Sequence, residues 1–292
     1  MSRLRLIGIL IAIGIGWGAT QPLGKIAAST GYPPMGLVFW QLVTCTVVLG
    51  VLTLMRGKSL PLTGYAMRFY TVVAILGTLV PGVTFYISVA RLPAGVMSIL
   101  ISTVPMIAFP IGMLLGNESF SWSRLLGLTL GLSGVLIIAL PKASLPDPAM
   151  AAFIPLAMIG PLFYALEGTY VARHKMQGMD AVQAMFGASL VGMILSVPIM
   201  LAMGQGFWIR QFGAPELALF SMSALHAVLY AVFVWLAAKA GAVFATQSGY
   251  IVTAAGLGWA VLLLNESFSF LVILAACVML AGVALVQPRQ KA

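Results

Sequence analysis

Apolar residues fill the chain in blocks of about twenty, the length a helix needs to cross a hydrocarbon core. Short polar stretches separate them. The blocks lie near residues 4–24, 35–55, 67–90, 94–116 and 124–141, then 149–172, 180–204, 216–238, 243–264 and 269–286. This pattern predicts an all-α membrane protein with ten transmembrane helices. The longest interruptions, RGKSLPLTGYAMR at 56–68 and PKASLPDP at 141–148, are too short for a soluble domain. Prolines inside the blocks (Pro22, Pro81, Pro105, Pro110, Pro161 and Pro198) are tolerated in lipid and predict kinks.

The pattern repeats. Shifting the sequence by 148 residues brings Asn117-Glu118-Ser119-Phe120-Ser121 onto Asn265-Glu266-Ser267-Phe268-Ser269, Gly134 onto Gly282 and Ala90-Arg91 onto Ala238-Lys239. A shift of 147 sets Trp17 against Tyr164 in the first helix of each half. Each half, 1–145 and 146–292, holds five blocks. An odd count forces the second half to start on the opposite side of the membrane. The expectation is a pair of five-helix inverted-topology repeats, an arrangement typical of secondary transporters with a mid-membrane site between the halves.

Charge refines the topology. Of 292 residues, 61% are hydrophobic and 7% charged, against about a quarter charged in soluble domains. Lipid must solvate much of this surface. The net charge of +9 does not indicate nucleic acid, because its Lys and Arg are scattered over loops. Eleven of them fall at the termini and even-numbered turns, and four at the odd-numbered turns. The positive-inside rule then puts both termini in the cytoplasm. The start, MSRLRLIGILIAIGIGWGA, imitates a signal peptide, but its apolar run continues to about Gly24 and its pattern recurs, so it reads as the first span. Cys45 and Cys277 lie within spans without metal-spaced partners and read as packing residues.

The stretches ARLPAGVMSILISTVPMIA (90–108) and LLGNESFSWSRLLGLTLGLSGV (114–135), with their second copies, resemble the drug/metabolite transporter superfamily and within it the ten-helix EamA family. Trp17-Gly18 and Lys25 also fit that family; Thr253 departs from it, standing where the first copy has Pro105. The resemblance covers the whole chain. It implies export of amino acids and other small metabolites, and a branch similar in size and layout exports aromatic amino acids.

Polar residues inside spans should face a cavity or a partner helix. Helical spacing selects Trp17 and Gln21 in span 1, Ser98 and Ser102 in span 4, Tyr164 in span 6, His226 and Tyr230 in span 8, and Gln247 and Tyr250 in span 9 as substrate-binding candidates. For each, a bland alternative stands beside the functional one: Trp17 as core filler, His226 as a neutral interhelical hydrogen-bonder, the hydroxyls as packing groups. Lys25, Pro105 and Glu167 read as gate or structural residues. Glu167, the one acid well inside a span, would bind an ammonium or a proton, or pair with a nearby Lys, Arg or Tyr.

Such a site is near neutral, aromatic and hydroxyl-rich, suiting zwitterionic or neutral solutes. It lacks the clustered cations that phosphorylated substrates need. No GxxxxGK[ST] is present, so transport should be secondary or facilitative, with no cofactor. The partners expected are a small-molecule substrate and the lipid bilayer. One chain supplies both halves, so a monomer suffices, in the inner membrane of a bacterium. Against an intramembrane enzyme stand the loop positions of Asp147 and Asp180 and the absence of HExxH, although Ser223 and His226 share a face. Channels are more often rings of subunits. The NESFSW string itself reads as a hairpin at the water interface, with Asn in a left-handed cap, Ser capping the next helix, and Glu118 and Glu266 favoured by that helix's N-terminus.

Overall fold

The computed structural model describes residues 3–116, 120–139, 145–174, 176–240 and 248–286. Among them every regular element is helical: α1 (Arg3–Ala28), α2 (Pro34–Met55), α3 (Gly64–Ala74), α4 (Val80–Val89), α5 (Ala94–Ile101), α6 (Val104–Leu114), α7 (Trp122–Ala139), α8 (Ile154–His174), α9 (Ala181–Ala202), α10 (Ala214–Ala240), α11 (Ser248–Leu264) and α12 (Phe270–Val286). Eight stretches are long and apolar enough to cross a bilayer, and Ser248–Leu264 and Phe270–Leu285 are shorter apolar helices.

Two predicted spans are not uniform helices. α3 and α4 join through a π-turn at Ile75–Leu79, which carries Gly77. π-turns widen a helix locally and recur at functional sites. α5 and α6 are separated by a break at Ser102 and Thr103. Pro105 stands in the first turn of α6, where its missing N–H costs nothing and its ring restrains Val104. Interruption of a span near its middle is how transporters place backbone groups beside a cavity. Pro22, Pro110, Pro161 and Pro198 remain inside helices.

The packing is two-fold. α1 lies against α10 and α11, and its counterpart α8 lies against α4 and the α5–α6 pair. α10 packs on α2 as α3 packs on α9, while α2 pairs with α9 and α7 with α12. Small residues make the tight crossings possible. A Cβ on Gly18 would stand 2.8 Å from Gly256 N, and one on Gly282 would stand 2.7 Å from Gly127 O. The outer faces of α7 and α12 keep Trp122, Leu132 and Phe270 exposed, as lipid contact requires. Cys45 is buried as expected, but Cys277 faces outward.

Loops gather at two ends. At the end holding the start of α1, Asp180 receives Arg56 Nη2 at 2.9 Å and Lys58 Nζ at 2.6 Å, and forms a capping box with Gln183. Burial would raise the Asp180 carboxyl, but the hydrogen bonds from Lys58, Gln183 and Arg56 outweigh it and hold it down at about 2. At the far end, residues 204–213 fold back over α2. Gln205 accepts Met35 N–H at 3.0 Å, the Phe207 ring stacks on Tyr32 at 4.1 Å, and Tyr32 donates to Glu216 at 2.5 Å.

Candidate functional site

α1 and α10 set a row of rings along their contact. Trp17 lies 5.3 Å from Phe233 and 6.3 Å from His226, and His226 lies 6.3 Å from Tyr230. The i, i+4, i+7 spacing of the α10 residues produces this row. Trp17 Nε1 is buried without a hydrogen-bond partner. Among the described residues, His226 and Tyr230 meet their neighbours through ring contacts. Buried polar groups are normally satisfied, so a donor left open calls for an explanation.

α8 supplies the opposite wall. Tyr164 joins Gln21, Phe85, Met97, Ile101 and Pro161 around a narrow cavity of about 40 Å³. One to two turns further along α8, Leu166, Thr169, Tyr170, Arg173 and His174 line a vestibule of about 440 Å³ with Leu76, Ile111 and Leu115. Glu167 stands on the helix between these two spaces. Its carboxylate lies against Gly77 of the π-turn, where an added Cβ would meet Oε1 at 2.5 Å and Oε2 at 2.8 Å. No hydrogen bond or ion pair holds this carboxylate among the described residues.

The other candidates sit elsewhere. Ser98 is fully buried, donates to Ala94 O at 3.1 Å and presses on Gly256 where α5 crosses α11. Ser102 donates to Ile99 O at 2.7 Å within its own turn. Tyr250 packs with Met106, Phe109 and Val283, away from the Trp17 row. Gln247 lies outside the described residues, as do Asn117 and Glu118. Ser223 is buried and donates to Leu219 O at 2.6 Å, so it forms no dyad with His226. Among the described residues no group of His, Cys, Asp or Glu is arranged to hold a metal.

Lys25 is tied down near the far end of α1. Its Nζ donates to Leu92 O at 2.5 Å and Val89 O at 3.3 Å, and stands 4.0 Å from Glu266 Oε1. Glu266 accepts Ala94 N–H at 2.7 Å and Gly95 N–H at 3.0 Å. The sequence pattern assigned Glu266 to the N-terminus of its own following helix; it caps α5 in the other half instead. Two other features of the hairpin match the expectation in this second copy. Asn265 is left-handed at φ 52°, and Ser269 Oγ receives Val272 N–H at 3.4 Å. The only forward signal for the Glu266 cap was Pro93, which marks a helix start lacking a side-chain cap of its own.

The EamA-like transporter family model matches twice, over residues 5–140 and 152–287. The chain belongs to the EamA-like transporter family. The two matches coincide with the two halves seen in the packing, and the family is one of multi-pass membrane transporters. The chain is also similar to the protein described as the uncharacterized inner membrane transporter YedA of Escherichia coli (strain K12), with 27% identity over 202 residues. That match takes in 66% of this chain and 62% of YedA. YedA proteins of Escherichia coli O6:H1 and O157:H7 match equally. A crystal structure described only as that of a protein superposes with a TM-score of 0.63 at 14% identity, over 98% of both chains, which supports the fold.

Proposed function

We propose that this chain is a secondary or facilitative carrier of the bacterial inner membrane that exports neutral amino acids, aromatic ones foremost, and related small metabolites by alternating access. It has ten transmembrane helices in two inverted halves and both termini in the cytoplasm, and it works as a single chain. The observation that carries the reading is the set of rings and polar groups along α1, α8 and α10: Trp17, whose Nε1 is buried without a partner among the described residues, His226 and Tyr230 beside it, and Glu167 between two cavities. A buried donor left open costs about 1–3 kcal/mol unless a solute meets it. A small polar solute with an aromatic body fits such a lining.

The two ends differ in a way that suits one state of a transport cycle. The vestibule at Arg173 and His174 opens toward the end holding the start of α1, while Lys25 and Glu266 tie the far end shut. With the termini in the cytoplasm, this is a carrier closed to the outside. The inner-membrane location agrees with what the YedA relatives are described to be.

The reading is tested by reconstituting the purified chain alone in liposomes and following labelled neutral amino acids and amines. Saturable uptake with a defined KM is expected. Absence of flux for every solute of the panel would remove the reading.

A further inference from the structure

We propose that Glu167 is the counter-ion for a protonated amine, so that the carrier selects its solutes by their ammonium group and an aromatic or aliphatic body, and does not require their carboxylate. This rests on the transport reading above and names the chemistry of the same site. Three observations carry it.

The first is the balance of charge along α8. Glu167 is the charged side chain between the two cavities, and it has no partner among the described residues. Lys25 is held by Val89 O, Leu92 O and Glu266 at the far end, and Arg173 lines the vestibule six residues further along α8, beyond the narrow cavity. A solute carboxylate would find no cationic partner beside Tyr164 or Trp17, whereas an ammonium would find Glu167.

The second is the fit of the carboxylate to its surroundings. Gly77 leaves room for it by lacking a Cβ, and the π-turn places that glycine opposite α8. An acid wedged there for structure alone would be expected to take a hydrogen bond from its neighbours. It takes none.

The third is the company of rings. Tyr164 stands three residues before Glu167 on α8, and on the facing wall Tyr230 continues into His226 and Trp17. Aromatic faces within about 6 Å attract ammonium groups and also stack on an apolar body. Carboxylate and rings together recognise a cationic amine with an apolar tail.

The experiment compares phenylalanine, phenethylamine and N-acetylphenylalanine in proteoliposomes of the full chain, in the wild type and in Glu167→Gln and Glu167→Asp. The wild type is expected to carry phenethylamine at least as well as phenylalanine, and to carry the N-acetyl form at least tenfold worse. Glu167→Gln should raise the KM for phenethylamine at least tenfold, and Glu167→Asp should restore part of it. If N-acetylphenylalanine is carried as well as phenylalanine, the ammonium inference fails while the transport reading stands. If none of the three is carried while another solute of the wider panel is, the ammonium inference fails and the transport reading stands; if nothing in the panel is carried, the transport reading itself fails. Should Glu167→Gln not fold, the wild-type comparison of the three solutes still decides.

Discussion

Glu266 Oε1 stands 4.0 Å from Lys25 Nζ and 2.7 Å from the backbone nitrogen of Ala94. One carboxylate from the second half thus binds the end of α1 and the start of α5 in the first. Charge at a helix N-terminus and two backbone hydrogen bonds act together there. An opening of the far end must break this contact.

Glu266→Gln and Lys25→Met should each lower stability, because the carboxylate caps α5 and the lysine donates to Leu92 O and Val89 O besides its long ion pair. Loss of a cap costs about 1 kcal/mol, which corresponds to about 2–4 °C in melting temperature for a chain of this size class. Thermal melts in detergent measure it. An unchanged melt in Glu266→Gln would show that the cap contributes nothing.

Gly77→Ala places a methyl 2.5 Å from Glu167 Oε1. The carboxylate must move, which the free end of a flexible side chain can do at little cost to the fold. Transport should fall at least tenfold while the protein still inserts. Gly168→Ala is the control, since nothing lies within 4 Å of a Cβ there. It should leave transport unchanged.

Trp17→Phe removes the buried indole N–H and keeps a ring. Because Nε1 has no partner among the described residues, the substitution should leave the melting temperature unchanged or raise it slightly. If Nε1 donates to the solute, KM rises several-fold. A fall in stability with KM unchanged would make Trp17 a packing residue.

Asp180 gives the pH dependence its sign. Its carboxyl is held at about 2 in the folded chain, below the ordinary 3.8. The charge therefore stabilises the fold fully above about pH 4. That stability is lost as pH falls through the folded value. After allowance for solvent screening the effect is about 1 kcal/mol. Melts between pH 5 and pH 2 should show the drop in the wild type and not in Asp180→Asn.

Much of the architecture was legible because lipid imposes a length on apolar blocks and duplication leaves a register. Lys25 and Glu167 stood out for the same reason: charge is rare inside a span. What the pattern could not supply was which neighbour each face meets. Tyr250 has the spacing of a lining residue, yet α11 turns it toward Met106 and Phe109. Ser98 is sealed by the close crossing at Gly256. Glu266 caps a helix 172 residues away in sequence rather than the next one. The π-turn at Gly77 has no local signature, since its widening is set by packing against α8. The aromatic loop that folds Phe207 onto Tyr32 likewise carries no periodic signal.

Counterflow tests the central claim most directly: that small solutes cross this chain by alternating exposure of a site lined by Trp17, Tyr164, Tyr230 and Glu167. Proteoliposomes of the purified chain are loaded with an excess of one unlabelled neutral amino acid or amine, then given the same compound labelled at low concentration outside. Transient accumulation of label above equilibrium is predicted for at least one compound, and Trp17→Ala with Tyr230→Ala should reduce it at least tenfold. Flux without any transient accumulation, or accumulation undiminished in the double variant, would contradict the account.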